Sequence, residues 1–357
     1  MGIHNLNKYL FEHCSKETIQ KKHMSCFRGK TIVIDTSIYL YKFLSENALI
    51  ENIYLMVSIF KHYEIKPIFI FDGKPPEEKK EILKKRLINK INAEKKYKEI
   101  QKQLEDANKT ESDKKELMVE LQSLKKRFIR IKDEEIKSVK TLFDLYNVTY
   151  YDAEKEADEL CAKMVISGLA WACVSDDMDL FVYGCTRVMR HMSLLNHTII
   201  FYNINGILKD LDIHMSVFRQ ITVLSGTDYN INDEKMISET MEYYKTYKNT
   251  ENLTKKIPHK LDNIELYEEC GFYNWLYSNT DYLKNYTLLV DIYKMFKLNI
   301  DLVELKKKYK FIEEWGRNNR QIEKTTKYSS FNKEIKPLLP DKLKEFLKPY
   351  GFIFSVM

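Results

Sequence analysis

Six acidic residues stand where carboxylates could act together. Asp35 ends the apolar run Thr31-Ile-Val-Ile-Asp35, and Asp72 ends Pro67-Ile-Phe-Ile-Phe-Asp72-Gly73. Asp177 and Asp179 close Ala170-Trp-Ala-Cys-Val-Ser-Asp-Asp177-Met-Asp179, and Glu156-Ala-Asp158 opens the helical stretch before it. Two like charges about 4 Å apart repel by roughly 1–4 kcal/mol at dielectrics between 80 and 20. Divalent cations remove that repulsion. The eight histidines show no metal-ligand spacing, and the six cysteines are scattered without a Cys-x-x-Cys pair. An all-oxygen donor set suits magnesium, with manganese able to substitute, better than zinc.

The elements that would position these acids are legible from the same runs. Val148-Thr-Tyr-Tyr-Asp152 and His197-Thr-Ile-Ile-Phe-Tyr202 are two further strands, and helical stretches over 37–62 and about 154–167 separate most of the others. Short apolar strands alternating with helices predict an α/β fold, with a central mostly parallel sheet flanked by helices. Chemistry in such sheets sits at the carboxyl ends of the strands, so three strands ending in Asp would gather acids at one edge. Asp177 and Asp179 are two apart, and in extended chain both would point to one side.

Charge sets one segment apart. Residues 77–140 hold 20 Lys/Arg against 14 Asp/Glu, while the remaining 38 of each sign cancel, so the net +6 resides in that segment. Leu83, Leu87, Ile91, Tyr97, Ile100 and Leu104, then Leu117, Leu121, Leu124, Phe128 and Ile131, give two amphipathic helices joined by a polar loop over 106–113. A basic helical hairpin projecting from the body is the footprint expected of a protein handling a polyanion, and on charge alone an ordinary solvated hairpin is the alternative. No run approaches the roughly 18–20 apolar residues of a membrane span, and the first residues show no signal-peptide pattern. A soluble, intracellular protein with no membrane role is expected, its compartment (nucleus or cytoplasm) left open.

At these residues the sequence resembles the flap endonuclease family of structure-specific 5′ nucleases. The matching blocks are Met1-Gly2-Ile3, Ile34-Asp35-Thr-Ser-Ile-Tyr-Leu-Tyr41, Phe71-Asp72-Gly-Lys-Pro-Pro76, Glu156-Ala-Asp158-Glu-Leu-Cys-Ala162, Ser175-Asp-Asp177-Met-Asp179 and Gly226-Thr-Asp228-Tyr229. Val188-Met-Arg-His-Met192 follows at the family's distance. The resemblance implies seven metal-organising carboxylates: Asp35, Asp72, Glu156, Asp158, Asp177, Asp179 and Asp228. Glu154, four residues before Asp158 on one helical face, is a rival to Glu156. Two metal ions would then promote in-line attack of water on a phosphodiester, with Asp177 and Asp179 at the centre of the chemistry. Lys79 and Arg86 match the basic residues at the base of the family's helical arch, where they would hold the scissile phosphate. Tyr41 matches an aromatic that stacks on a nucleobase. Gly2, Arg127 and Arg130 complete the expected substrate contacts.

The resemblance implies a nuclease core over 1–229, with the arch inserted at about 77–140, and a mostly helical C-terminal region over 230–357 carrying a diverged helix-hairpin-helix. That motif normally grips duplex phosphates through a glycine-rich turn, but no Gly occurs between Gly226 and Gly271. The aromatic and basic residues of Thr240–Lys256 could substitute. Trp275 and Trp315 suggest a second core after residue 260. No sliding-clamp motif of the Gln-x-x-Leu-x-x-aromatic-aromatic kind is recognisable, so that partnership is unsupported. The expected partner is DNA with a 5′ single-stranded end or flap, bound by a monomer. The alternatives are a 5′→3′ exoribonuclease and a catalytically inactive nuclease fold serving as a nucleic-acid binding module.

Overall fold

A computed structural model of the chain describes residues 3, 5–104, 110–230, 235–251, 270–309 and 341–354. Seven strands form one sheet: β1 (Ile19–His23), β2 (Thr31–Asp35), β3 (Lys66–Phe71), β4 (Thr149–Asp152), β5 (Ala172–Val174), β6 (Arg187–Ser193) and β7 (Thr198–Asn203). Their order is β1-β7-β6-β5-β2-β3-β4. The five strands from β6 to β4 are parallel, while β7 pairs antiparallel with both β6 and β1. The chain thus winds outward from β2 through β3 to β4, then returns to the other side of β2 as β5. That reversal creates a crevice at the carboxyl ends of the strands.

Alternation along the strands divides the core into two layers. Val33, Ile68, Ile70, Cys173 and Val188 face one cluster, built with α1 (Leu6–His13) and the helices after residue 156. Ile32, Ile34, Phe69, Phe71, Val174 and Met189 face the other. The helices on that second face include α2 (Thr36–Ser45) and α3 (Leu49–His62). The stretch 37–62 is two helices rather than one. Asn47, with φ of 53°, turns left-handed between them, a conformation Asn tolerates better than most residues.

The basic segment forms α4 (Lys80–Leu104) and α5 (Glu111–Arg127), entered through a 3-10 turn at Glu77–Lys79. Thr110 caps α5 by accepting the Asp113 N–H, so the polar stretch 106–113 ends inside the helix. The hairpin's seam is Ala93, Ile100 and Leu124, flanked by Tyr97, Leu117, Leu121 and Phe128. The first half of the expected seam does not pack. Leu83, Leu87 and Ile91 are exposed, because α5 is shorter than α4 and leaves its first turns uncovered. The segment's last part is not arch. Helix α6 (Asp133–Leu145) buries Val139, Leu142 and Phe143 in the second core layer.

Helices after residue 230 build no core of their own among the described residues. Phe272, Tyr273, Leu276, Leu289, Tyr293 and Phe296 join the first layer, and Leu343 and Leu347 the second. Trp275 packs against the first layer, whereas Trp315 lies outside the described residues. No described helix is long and apolar enough to cross a membrane.

Candidate active site at the sheet edge

The seven expected acids come from five pieces of the crevice. Asp35 is the last residue of β2, 5% exposed, and Asp72 follows the end of β3. Asp72 accepts the Ala157 N–H at 2.8 Å, filling one of the four free donors at the start of helix α7 (Ala157–Ile166). That contact seats Glu156 and Asp158, at the N-cap and first turn of α7, beside the strand ends. Gly73 makes the approach possible. Its N–H donates to Lys155 O at 2.6 Å, and a Cβ there would meet Ala153 O at 2.1 Å.

The β5 end departs from the extended chain expected of it. β5 stops at Val174, and Asp179 is the first residue of a short helix, α8 (Asp179–Tyr183). Asp177 and Asp179 are neighbours through a turn, in which the Asp179 N–H donates to Asp177 Oδ1 at 3.0 Å. Ser175, to which the sequence assigned no role, ties this turn to β2. Its hydroxyl donates to Asp35 Oδ2 at 2.9 Å and accepts the Asp177 N–H at 3.1 Å. Only its place two residues before Asp177 hinted at such a link.

Asp228 lies in the turn after helix α10 (Met215–Leu224). Asn230 shapes that turn by accepting from the Thr227 N–H and hydroxyl, both at 2.7 Å. The arch base reaches the same acids. Lys79, 6% exposed, donates to Glu156 Oε1 at 2.7 Å and lies 3.6 Å from Asp228. Its ammonium stands over the Tyr229 ring at 5.3 Å from the centroid. Arg86 donates to both Asp228 oxygens at 2.8 Å. The expected pair thus meets the cluster from two turns of one arm.

Burial of so many acids has an electrostatic signature. Burial pushes the Asp35 carboxyl up to about 8, with Asp72 and Asp177 adding repulsion. Asp158 and Asp179 are held well above the usual carboxylate range, again by burial first and neighbouring acids second. For Lys79 burial alone would lower the pKa, but Glu156, Asp158 and Tyr229 overcome it and raise it, so the ammonium stays charged. Asp179 Oδ1 is buried with no hydrogen-bond partner. An orphaned carboxylate oxygen among oxygen-only donors is what a hard divalent cation would satisfy. Among the described residues no group of three or more His, Cys, Asp or Glu side chains is arranged so that it could hold a metal ion as it stands. A raised folded pKa on an acid stabilises the fold below its unfolded pKa, and that gain is lost as pH rises through the folded value. In chelator, stability should therefore fall between about pH 4 and about 8, the value for Asp35. Magnesium should flatten that slope, as thermal melts across the range would show.

The remaining expected residues divide. Glu154 is no rival to Glu156, since its side chain is 80% exposed and pairs with Lys308. Tyr41 is exposed, with Lys90 over its ring at 4.8 Å. Arg127 and Arg130 are exposed at the end of the arch, Arg130 bonding Glu94 at 3.3 Å. Gly2 lies outside the described residues. Helix Ile237–Glu251 does not offer its aromatics to a ligand. Tyr244 is buried, Tyr243 and Tyr247 pack half-buried against the first core layer with the Tyr247 ring tilted against Phe272 and Trp275, and Lys248 pairs with Asp212. Residues 252–256 of that candidate surface lie outside the described residues.

The XPG N-terminal domain model matches residues 1–94 and the XPG I-region model residues 147–228. Flap endonuclease 1 of Methanococcus aeolicus is 31% identical over 271 residues, covering 71% of this chain and 78% of that one. The chain belongs to the flap endonuclease/XPG nuclease family. Flap endonuclease 1 of Entamoeba histolytica is 30% identical, covering 78% of this chain and 73% of its own. In fold, the catalytic core of Rad2 in complex with DNA substrate superposes with a TM-score of 0.57 at 18% identity, covering 98% and 95% of the two chains. Human GEN1 in complex with Holliday junction DNA gives 0.50 at 15% identity, covering 84% and 67%. Both flap endonuclease/XPG family regions carry candidate acids, Asp35 and Asp72 in the first and the other five in the second. Most of the arch falls between them.

Proposed function

We propose that the chain is a magnesium-dependent 5′ nuclease that hydrolyses DNA phosphodiesters where single strand meets duplex. Cleavage of 5′ flaps is its main activity and 5′→3′ exonuclease digestion a second mode, in replication, repair or recombination. The observation that carries this reading is that two basic arch residues, Lys79 and Arg86, reach down to Glu156 at the start of α7 and Asp228 after α10, at the sheet edge where Asp35 ends β2 and Asp72 follows β3. Relatives in the family are flap endonucleases, and the Rad2 core was solved with a DNA substrate, which supports the substrate class.

Asp35, Asp72, Glu156, Asp158, Asp177, Asp179 and Asp228 would hold two divalent ions. Bound there, such ions supply the charge that activates water and stabilises the phosphorane-like transition state. The chain's own residues do the rest. Lys79 and Arg86 are aimed where a scissile phosphate would enter, and as phosphate charge grows they pair with it. Tyr41 offers a ring at the arch base on which the terminal base can stack. Replacing Tyr41 with Ala should weaken flap binding by roughly 1–3 kcal/mol, measured by fluorescence anisotropy in calcium.

Mg²⁺-dependent cleavage of a 5′-flap DNA, compared with a 5′-monophosphate RNA, is the deciding assay. Turnover of RNA alone would establish the exoribonuclease alternative, and flap binding without any cutting would establish an inactive fold. Binding should also be steeply salt-dependent. Each phosphate neutralised on duplex contributes about −0.9 to the log–log slope, against about −0.7 on single strand. A slope near zero would remove the basic arch from the substrate path.

A further inference from the structure

Strand β6 carries the block Val188-Met-Arg-His-Met192, to which the mechanism assigns no task. Arg190 in it is 6% exposed, yet no carboxylate oxygen forms an ion pair with it among the described contacts. One arm, Nη2, donates to the main-chain oxygen of Asp176 at 2.8 Å. The other, Nη1, donates to Asn7 Oδ1 at 2.7 Å, and Tyr202 OH donates to that same oxygen at 2.8 Å. Nε is buried with no hydrogen-bond partner. Burying a charge with an unmet donor is costly, and a packing role alone would be served better by an apolar side chain. A planar fork of donors does something an apolar chain cannot: it fixes two acceptors relative to each other.

The two acceptors are informative. Asp176 immediately precedes Asp177, and its carbonyl orients the turn that presents Asp177 and Asp179. Asn7 belongs to α1, the helix that follows the chain's first residues. The turn is fixed from β6 at further points. Asp176 Oδ1 accepts the His191 N–H at 2.7 Å, with His191 held at φ of 55°, and the Ser175 N–H donates to Met189 O at 3.1 Å. Of these links, Arg190 is the one that also reaches α1.

We propose that Arg190 is a positioning residue, bridging Asn7 of the N-terminal helix and the Asp176 carbonyl so as to set the aim of Asp177 and Asp179. The inference rests on the two-metal reading above. Partners one step removed from a metal's ligands typically cost about 10–100-fold in affinity when removed. Arg190→Met and Asn7→Leu should each lower Mn²⁺ affinity of the DNA-free protein by about that factor, read by electron paramagnetic resonance. On a 5′ flap, kcat should fall while KM changes little. Asn7→Asp keeps an oxygen acceptor for both Arg190 and Tyr202, so it should retain Mn²⁺ affinity and turnover. Variants that melt earlier but bind Mn²⁺ and cleave like wild type would overturn the proposal, since Arg190 would then be only structural. Should Arg190→Met fail to fold, the contrast between Asn7→Leu and Asn7→Asp decides the matter. Wild type that neither binds Mn²⁺ nor cleaves would overturn the two-metal reading itself, and this inference with it. An active wild type beside unaffected variants overturns the bridge alone.

Discussion

Asp179→Asn is expected to lower flap cleavage by ~10²–10³-fold and, in the same protein, to raise the melting temperature in chelator. The first effect follows from geometry. Asp179 sits at the start of α8, linked through the Asp177 carboxylate to the β5 turn, and removing its charge takes a ligand from the proposed ion pair. Loss of one charge-stabilising group from such a site typically lowers turnover by ~10²–10³-fold. The second effect follows from burial. The carboxylate is 3% exposed, its Oδ1 has no partner, and neighbouring acids repel it. An amide removes that repulsion at nearly unchanged volume, a gain of about 1–2 kcal/mol, or a few degrees at roughly 2–4 °C per kcal/mol. DNA binding in calcium or chelator should survive. Turnover within tenfold of wild type, or a lower melting temperature, would remove Asp179 from the centre of the site. The functional acid is thus expected to be a structural liability, as active-site residues often are.

Lys79→Ala should separate chemistry from binding in the opposite sense. Lys79 is buried between Glu156 and Asp228, and removing it leaves Glu156 without its 2.7 Å partner. Breaking a buried pair on one side typically costs about 3–5 kcal/mol, so the variant should melt earlier in chelator. Magnesium should recover much of that loss by neutralising the same acids. Turnover should fall more than flap affinity, because the ammonium is proposed to meet charge that develops only in the transition state. Arg86→Ala, which removes a more exposed partner of Asp228 alone, should show the same split with a smaller loss of stability. An unchanged kcat in either variant would place that residue outside the catalytic group.

Much of the site could be read in one dimension because acids at strand ends carry their own address. A parallel strand buried on both faces is a short apolar run, and whatever polar residue ends it lies in the crevice. Asp35 and Asp72 are of this kind. Glu156 and Asp158 were equally accessible, since an acidic helix start is a local feature, and the tie from Asp72 to the Ala157 N–H is its tertiary counterpart. Charge arithmetic located the arch because a hairpin with little burial must keep its charges in solvent. Half of the seam expected on α4 is exposed for the same reason. Periodicity reports that a helix has an apolar stripe but not how far its partner extends, so Leu87 and Ile91 counted as seam although α5 does not cover them.

The sequence alone carries five of the seven strands, the acids at strand ends and at a helix start, and the blocks by which the chain resembles its family. The resemblance favours Glu156 over Glu154, and the tertiary structure supplies the physical reason, because the fold brings Lys308 to Glu154 and Lys79 to Glu156. The tertiary structure alone decided that the tyrosines of helix Ile237–Glu251 serve the core, and that strands β1 and β6 join the sheet. Edge and bulged strands alternate weakly and draw their stability from partners distant in sequence, so no local pattern announces them. The Arg190 bridge belongs here too, for its two acceptors are 169 positions apart in the chain and meet only when β6 lies beside the β5 turn.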